Sequence, residues 1–226
     1  MSDSLFYYFY YLSISSCYLP LLYLVYKWKR TKLNWILFAY FFLACATELA
    51  SWIIIMQYHM YNIVVINLYN IPLIIIIAIL YSHLLKKKVN KLILSWLVLF
   101  FVAYGFLVTF HSIFFTGYTF AYVLISIGTI FLAVYYLFRY LLESEGKKVL
   151  KDGIFLINFT IFFYFANTFY LSLFEYLVFF NNWLHAQLWP IQLFTTILAN
   201  LMFVYAIYWL KKEDKLTADQ ISEPNV

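Results

Sequence analysis

Two carboxylates lie inside long apolar stretches of the chain and are the residues best placed to do chemistry there. Glu48 sits within Ala46-Thr47-Glu48-Leu49-Ala50, and Glu175 lies near the end of a later stretch. An ionisable side chain in hydrocarbon costs about 3 kcal/mol or more, so we expect a function for it. No Lys or Arg lies at that depth. Each carboxylate is therefore expected to be protonated, hydrated in a cavity, or bound to a cation or polar ligand.

A plainer alternative exists for each acid. Glu48 could be a neutral carboxylic acid that only hydrogen-bonds a neighbouring helix. Glu175 lies close enough to the membrane interface to be solvated in the ordinary way.

Amide side chains extend this polar zone along three predicted helices. Asn67 and Asn70 are three residues apart and share one helical face. Two further helices carry polar stripes, which are Tyr164, Asn167 and Glu175 on one and Trp189, Gln192, Thr196 and Asn200 on the other. We predict a ligand-binding pocket formed by Glu48, Asn67, Asn70, Asn167, Glu175, Trp189 and Gln192. The alternative for any single Asn is an interhelical hydrogen bond worth about 0.6 kcal/mol.

Two prolines interrupt the outer parts of these helices and predict kinks. Pro72 and Pro190 each free the carbonyl four residues earlier, which a neighbour or a ligand must satisfy. Pro72 follows Glu48 by 24 residues and Pro190 follows Asn167 by 23, so helices 2–3 would correspond to helices 6–7. This spacing predicts a 3+1+3 plan with two parallel repeats and a linking fourth helix.

Histidines and cysteines give no metal site or disulfide framework. His59, His111 and His185 lie near the outer surface without a spacing that places two of them on one helical face. We expect them to be solvated at the interface. Cys17 and Cys45 fall at mid-membrane depth, where small packing residues are the usual interpretation. The sequence predicts no metal and no cofactor.

The elements that position these residues follow from the basic residues. All 15 Lys and Arg fall in four clusters, which are Lys27–Lys32, Lys86–Lys91, Arg139–Lys151 and Lys211–Lys215. The polar segment in the middle of each interval between clusters contains no Lys or Arg. About 20 residues make one crossing, so each interval holds a helical hairpin. Short basic loops stay in the cytoplasm, which puts the N-terminus outside and the C-terminus inside. We predict an all-α fold with seven transmembrane helices at 5–27, 33–57, 63–85, 91–110, 119–142, 153–179 and 188–210.

Composition supports the membrane class. Hydrophobic residues make up 66% of the chain, the mean hydropathy is +0.85, and only 11% of residues are charged, which excludes an ordinary soluble domain. The net charge of +5 then anchors cytoplasmic loops and does not indicate nucleic-acid binding. We predict a seven-helix domain over 1–210 and a short disordered cytoplasmic tail over 211–226.

Four short motifs carry a family resemblance, namely Thr47-Glu48, Asn67-Leu68-Tyr69-Asn70, Tyr164-Phe165-Ala166-Asn167 and the segment from Trp189 to Asn200. With them the chain resembles, over essentially its whole length, a group of uncharacterised seven-helix membrane proteins of Bacteroidetes. The resemblance implies a membrane module in a bacterial inner membrane, with shared features around Glu48 and Asn70, and implies no activity. Members often carry a further acid after the Asn70 position, where Ile74–Ile77 is apolar here.

Better-known seven-helix classes do not fit. A retinal protein needs a lysine in its last helix, and 188–210 contains none. Zinc-dependent seven-helix hydrolases cluster their histidines inside the membrane, whereas the histidines here are scattered near its surface. The sugar-transporter-like proteins share the topology, but their Pro-Gln motif is absent because Ile191 separates Pro190 from Gln192.

Three functions remain open. The first is a sensory or accessory module that binds a small or lipidic ligand in an outward-facing pocket and acts through a membrane or cytoplasmic protein partner. The second is a small-solute or proton-coupled transporter that uses Glu48. The third is an intramembrane enzyme acting on lipid, with Glu48 or Glu175 as the base. The inner halves of the helices offer few polar groups beyond Asn158, Thr129 and Ser126, which favours a one-sided binding pocket over a transport path. Among the three functions, we expect no enzymatic activity.

Overall fold

A computed structural model describes residues 3–58, 63–85, 89–111, 118–143, 149–177 and 182–222. Seven α-helices account for nearly all of these residues, and a 3-10 turn at Val149–Lys151 precedes the sixth helix. The helices are α1 (Asp3–Tyr26), α2 (Lys32–Tyr58), α3 (Ile63–Leu85), α4 (Asn90–His111), α5 (Tyr118–Glu143), α6 (Gly153–Leu177) and α7 (Asn182–Ser222).

The all-helical fold is confirmed. Six helices are long and apolar enough to cross a membrane, and α4 contributes the shorter apolar stretch Asn90–Phe106 within the described residues. Helix bounds match the predicted spans to within a few residues, except at the two ends of α7. Large apolar side chains cover the outer surface, as expected for contact with lipid; Leu22, Val102 and Phe138 are each more than 60% exposed.

The last helix differs from its prediction. We expected a disordered tail over 211–226, whereas α7 continues without a break from the apolar segment through Ser222. The physical reason is local. Lys, Glu, Leu, Ala and Gln are good helix formers, and neither Gly nor Pro occurs between Lys211 and Pro224. Residues 223–226 lie outside the described part of the chain.

Polar caps fix two of the turns that lie beside basic clusters. Thr31 Oγ1 accepts a hydrogen bond from the Asn34 backbone N–H at 3.2 Å at the start of α2. Asp152 Oδ1 accepts one from the Phe155 N–H at 2.8 Å at the start of α6, and the Tyr140 hydroxyl donates to the same carboxylate. Ser, Thr and Asp are preferred at such positions because they satisfy exposed backbone donors.

Six helices form a closed ring, and α4 lies outside it. Contacts run from α1 to α2, α3, α5, α6 and α7 in turn, and α7 packs against α1. α4 contacts α3 and α5. Close approach of α4 depends on Gly128 of α5, because a Cβ atom there would lie 2.0 Å from the Trp96 indole nitrogen.

One end of the ring collects the described basic residues, and we call it the basic end. Trp28 and Trp35 meet edge to face there at 4.8 Å between ring centroids, and the Lys151 ammonium lies 5.5 Å from the Trp209 ring. The half of the ring nearest this end is packed solid. Its buried core includes Leu37, Ile77, Leu80, Tyr81, Leu132, Ile157, Ala206 and Ile207, each no more than 2% exposed.

Candidate functional site

A cavity of about 190 Å³ occupies the half of the ring away from the basic end. All six ring helices contribute to its wall, and none of its described lining residues comes from α4. The lining residues are Cys17, Tyr40, Phe41, Ala44, Thr47, Glu48, Ser51, Ile66, Tyr69, Tyr122, Tyr164, Thr168, Leu171, Ser172, Gln192, Thr196, Asn200 and Phe203. The cavity is therefore a junction between the helices of the ring.

Three helices supply most of the polar wall as stripes with helical spacing. Residues three or four apart on a helix point the same way, which explains why these sets face one space. The stripes are Tyr40, Ala44, Thr47, Glu48 and Ser51 on α2, Tyr164, Thr168, Leu171 and Ser172 on α6, and Gln192, Thr196, Asn200 and Phe203 on α7.

Glu48 is the acidic residue among the described residues of this wall. Its side chain is half-buried and makes no hydrogen bond or ion pair with another described residue. No Lys, Arg or His is among the described residues that line the cavity. The described side chains therefore leave the Glu48 carboxyl group, beside the open volume, without a polar partner.

Four tyrosines from four helices surround the same space: Tyr40, Tyr69, Tyr122 and Tyr164. The Tyr122 side chain lies close to the side chains of Tyr164 and Thr168. At the end nearer the packed half, the Phe203 ring lies 5.9 Å from the Tyr40 ring and 5.0 Å from the Phe41 ring between centroids. Aromatic rings thus form much of the wall that Glu48 also lines.

The threonine hydroxyls of the wall have already used their protons. Thr47 Oγ1 donates to the Leu43 carbonyl at 2.8 Å, and Thr168 Oγ1 donates to the Tyr164 carbonyl at 2.7 Å. Thr196 Oγ1 makes the same bond within α7 at 3.0 Å. A hydroxyl that donates to its own helix can still accept, so these oxygens present acceptor sites to the cavity.

A polar contact joins α7 to α1 at the base of the cavity. Asn200 Nδ2 donates to Ser16 Oγ at 2.9 Å and approaches Cys17 Sγ at 3.4 Å. Cys45 Sγ donates to the Cys17 carbonyl at 3.3 Å, which ties α2 to α1. Both cysteines are free thiols and buried, and they act as interhelical contacts.

The structure separates the residues predicted to form the pocket. Glu48 and Gln192 line the cavity, whereas Asn67, Asn70 and Asn167 do not. The structure thus brings only part of the predicted set to this cavity, and a binding role of the three amides stays a prediction.

Each of the three amides has its own surroundings. Asn67 is buried, and its backbone carbonyl accepts a hydrogen bond from Tyr104 of α4 at 3.2 Å. Asn167 Nδ2 donates to the Phe163 carbonyl of its own helix at 2.8 Å. Asn70 is fully buried, and its amide has no hydrogen-bond partner among the described residues. The side chains of Glu175 and Trp189 lie outside the described part of the structure.

The cavity also contains residues that the sequence prediction missed. Tyr40, Tyr69 and Tyr122 were not singled out, nor were the hydroxyls of Ser51 and Ser172. Counting back from Glu48 by four and eight residues leads to Ala44 and Tyr40, so the stripe was detectable by periodicity. It was hidden because the chain contains 23 Tyr and 25 Phe.

Prolines lie inside three of the helices. The helical hydrogen-bonding pattern of α3 and α7 runs through Pro72 and Pro190, and that of α1 runs through Pro20, which was not predicted as a kink site. Each ring removes one backbone donor, so a carbonyl four residues earlier, such as that of Leu68 for Pro72, lacks its helical partner. These positions are local weak points of the helices that line the cavity.

No metal site accompanies the cavity in the described residues, where no group of three or more His, Cys, Asp or Glu side chains is close enough to hold an ion. His59 and the side chains of His111 and His185 lie outside that part of the chain.

Comparison of the chain with protein-family models, with curated proteins and with solved structures finds no match. The resemblance to seven-helix proteins of Bacteroidetes therefore stays a prediction, and a functional proposal rests on the cavity.

Proposed function

We propose that the chain is an integral membrane sensory or accessory module that binds a small ligand in the cavity and acts through a partner protein. The observation that carries the proposal is the position of Glu48, a carboxyl group without a described polar partner, in a cavity walled by all six ring helices. A partly apolar cavity with a few convergent polar groups is the usual form of a small-molecule site.

The packing of the basic half supports binding from one side. There the Tyr81 hydroxyl donates to Asn158 Oδ1 at 2.6 Å, and Asn158 Nδ2 donates to the Ala133 carbonyl at 3.1 Å. These contacts join α3, α6 and α5, with buried aliphatic side chains around them. A ligand in the cavity therefore has a packed floor on the side of the basic end.

The direction in which the cavity faces follows from charge, as part of the same proposal. Basic loops remain in the cytoplasm, so the basic end is placed inside and the cavity in the outer half. This orientation includes α4 as a seventh crossing and puts the C-terminal end of α7 in the cytoplasm. A bacterial inner membrane is the corresponding location.

A ligand at this junction would bias the arrangement of the helices. It would touch side chains of several ring helices at once, so a change in their spacing is the expected response. The segments that connect the helices at the basic end are short, such as 27–31 between α1 and α2. A partner that docks on these basic segments is therefore the proposed receiver of the signal.

A transporter is the second candidate, and the order of the ring favours it. If α1, α2 and α3 correspond to α5, α6 and α7, every contact in the ring has a counterpart in the other set. The contact of α3 with α5, for example, corresponds to the contact of α7 with α1. The cavity lies between these two sets of three helices, where repeat-built transporters bind their substrates. Proton-driven solute counterflow in liposomes that is lost in Glu48→Gln would support transport over sensing.

Filling the cavity tests the proposed function. Ala44 lines the cavity, whereas Ala46 on the same helix is exposed on its outer surface, so Ala44→Leu and Ala46→Leu form a matched pair. Native mass spectrometry of the full chain, purified from membranes, should reveal a bound small molecule in the wild type and Ala46→Leu. Ala44→Leu should lose it and keep its helical content.

Equal ligand occupancy in both variants would contradict a binding role for the cavity. The absence of any bound small molecule in the wild type, together with unchanged partner co-purification in Ala44→Leu, would do the same.

A further inference from the structure

We infer that the cavity recognises a small organic ammonium ion, held between the Glu48 carboxylate and a cage of tyrosine rings. This inference rests on the proposed ligand-binding function and names the chemical class of its ligand.

The described side chains of the wall carry charge of one sign. Glu48 lines the cavity, and the described lining residues include no Lys, Arg or His to neutralise it. A carboxylate inside a membrane protein is normally matched by a cation, by hydrogen bonds or by water. Since no described side chain supplies an ion pair to Glu48, a ligand cation would fill that role.

The aromatic wall suits a cation better than it suits an anion or an alkyl chain. Tyr69 and Tyr164 lie close enough to Glu48 to interact with it electrostatically, and Tyr40 and Tyr122 complete the surround. The face of an aromatic ring is electron-rich and attracts ammonium groups, most strongly where water is excluded. Cages of aromatic rings are a common means of binding quaternary ammonium ligands.

The three threonine hydroxyls of the wall also favour a donor. The hydroxyl protons of Thr47, Thr168 and Thr196 are used within their own helices, so these oxygens accept. A protonated primary or secondary amine could donate to them, and an anionic ligand would be repelled. The set of acceptors therefore selects for the same sign of charge as Glu48 does.

The volume limits the ligand to a small molecule. An apolar cavity of about 150 Å³ is known to hold benzene. The cavity here, at about 190 Å³, is somewhat larger. A cation such as choline or a simple arylalkylamine is of suitable size, and a whole phospholipid is not. Between the small and lipidic ligands considered from the sequence, the geometry points to the small one.

Choline and its uncharged carbon isostere, in which carbon replaces the ammonium nitrogen, provide a direct test. Both have nearly the same shape, so calorimetric titration of the full chain in a maltoside detergent isolates the effect of charge. Wild-type protein should bind choline at least tenfold more tightly than the isostere. Glu48→Gln should remove this preference, and Glu143→Gln should keep it, because Glu143 pairs with Arg139 on the outer surface.

The tyrosine cage is tested separately. Tyr69→Leu removes a ring and should weaken choline binding several-fold more than Tyr69→Phe, which keeps the ring. Equal losses in the two variants would mean that the hydroxyl, not the ring, contacts the ligand, and would overturn the cage.

The wild-type comparison does not depend on any variant folding. If the isostere binds as tightly as choline, or if choline, benzyltrimethylammonium and protonated benzylamine all fail to bind, the ammonium inference is wrong. In that case a small molecule still lost in Ala44→Leu would leave the proposed function standing. If the choline titration and the Ala44→Leu experiment both fail, the ammonium inference and the proposed function are both wrong.

Discussion

The Tyr81 hydroxyl donates a hydrogen bond to Asn158 Oδ1 at 2.6 Å, and both side chains are fully buried. This bond joins α3 to α6 across the interior of the bundle, between the cavity and the basic end. Asn158 Nδ2 adds a bond to the Ala133 carbonyl of α5 at 3.1 Å. Three ring helices are thus tied together by one amide and one phenol, and these side chains form part of the floor of the cavity.

Removing this hydroxyl should destabilise the protein. Tyr81→Phe leaves Asn158 Oδ1 buried without its donor, at an expected cost of about 1–3 kcal/mol. Tyr208→Phe is the control, because Tyr208 is 46% exposed on the outer surface and should change stability little. Reversible unfolding in mixed micelles measures the free-energy difference. Equal stability of both variants would show that the buried bond contributes nothing.

A methyl group at Gly153 should disturb the junction between α6 and α7. A Cβ atom there would lie 2.2 Å from the backbone nitrogen of Leu210, and a backbone atom cannot move aside easily. Gly105 offers the matched control, since nothing lies within 4 Å of its position for a Cβ atom.

We therefore expect Gly153→Ala to lower the melting temperature clearly. Gly105→Ala should be neutral or slightly stabilising, by up to about 1 kcal/mol from helix propensity. Thermal unfolding of the two purified variants checks the contrast. A melting temperature that is lowered equally in both would contradict the close packing at Gly153.

The buried amide of Asn70 gives a prediction of opposite sign. Both its polar atoms lack hydrogen-bond partners among the described residues, so replacing it by the similarly sized Leu removes an uncompensated desolvation cost. Asn70→Leu is expected to stabilise the fold by about 1–3 kcal/mol. Asn158→Leu, which breaks two bonds, should destabilise it. Destabilisation by Asn70→Leu would instead reveal a polar partner for the amide.

The sequence predicted the helices well and their arrangement poorly, for one physical reason. Helix positions follow from apolar length and from basic clusters, and these are visible in the chain. The inner face of a membrane helix is not marked by hydropathy, because lipid-facing residues such as Leu22 and core residues such as Leu24 are equally apolar. The position of α4 outside the ring therefore could not be predicted.

The site residues that stand out as polar side chains in apolar helices were predicted. The tyrosines of the site were missed, because aromatic residues are common throughout the chain. Glu48, Gln192, Thr196 and Asn200 stand out in apolar helices and do line the cavity. The tyrosine rings did not stand out among so many aromatic residues. Asn67 had polarity and spacing like those of the cavity residues. It does not line the cavity, and its backbone carbonyl accepts a hydrogen bond from Tyr104 of α4.

Access to the cavity is the most direct test of the central claim, which is that this pocket opens to the outer face. Ser51 lines the cavity, and Ser51→Cys can be made in a chain whose Cys17 and Cys45 are replaced by Ala. Arg30→Cys, exposed at the basic end, is the control. Labelling uses a membrane-impermeant trimethylammonium thiosulfonate, applied to sealed spheroplasts and to inverted vesicles. The account predicts that Ser51→Cys is labelled only in spheroplasts and Arg30→Cys only in inverted vesicles; labelling of Ser51→Cys only in inverted vesicles would contradict it.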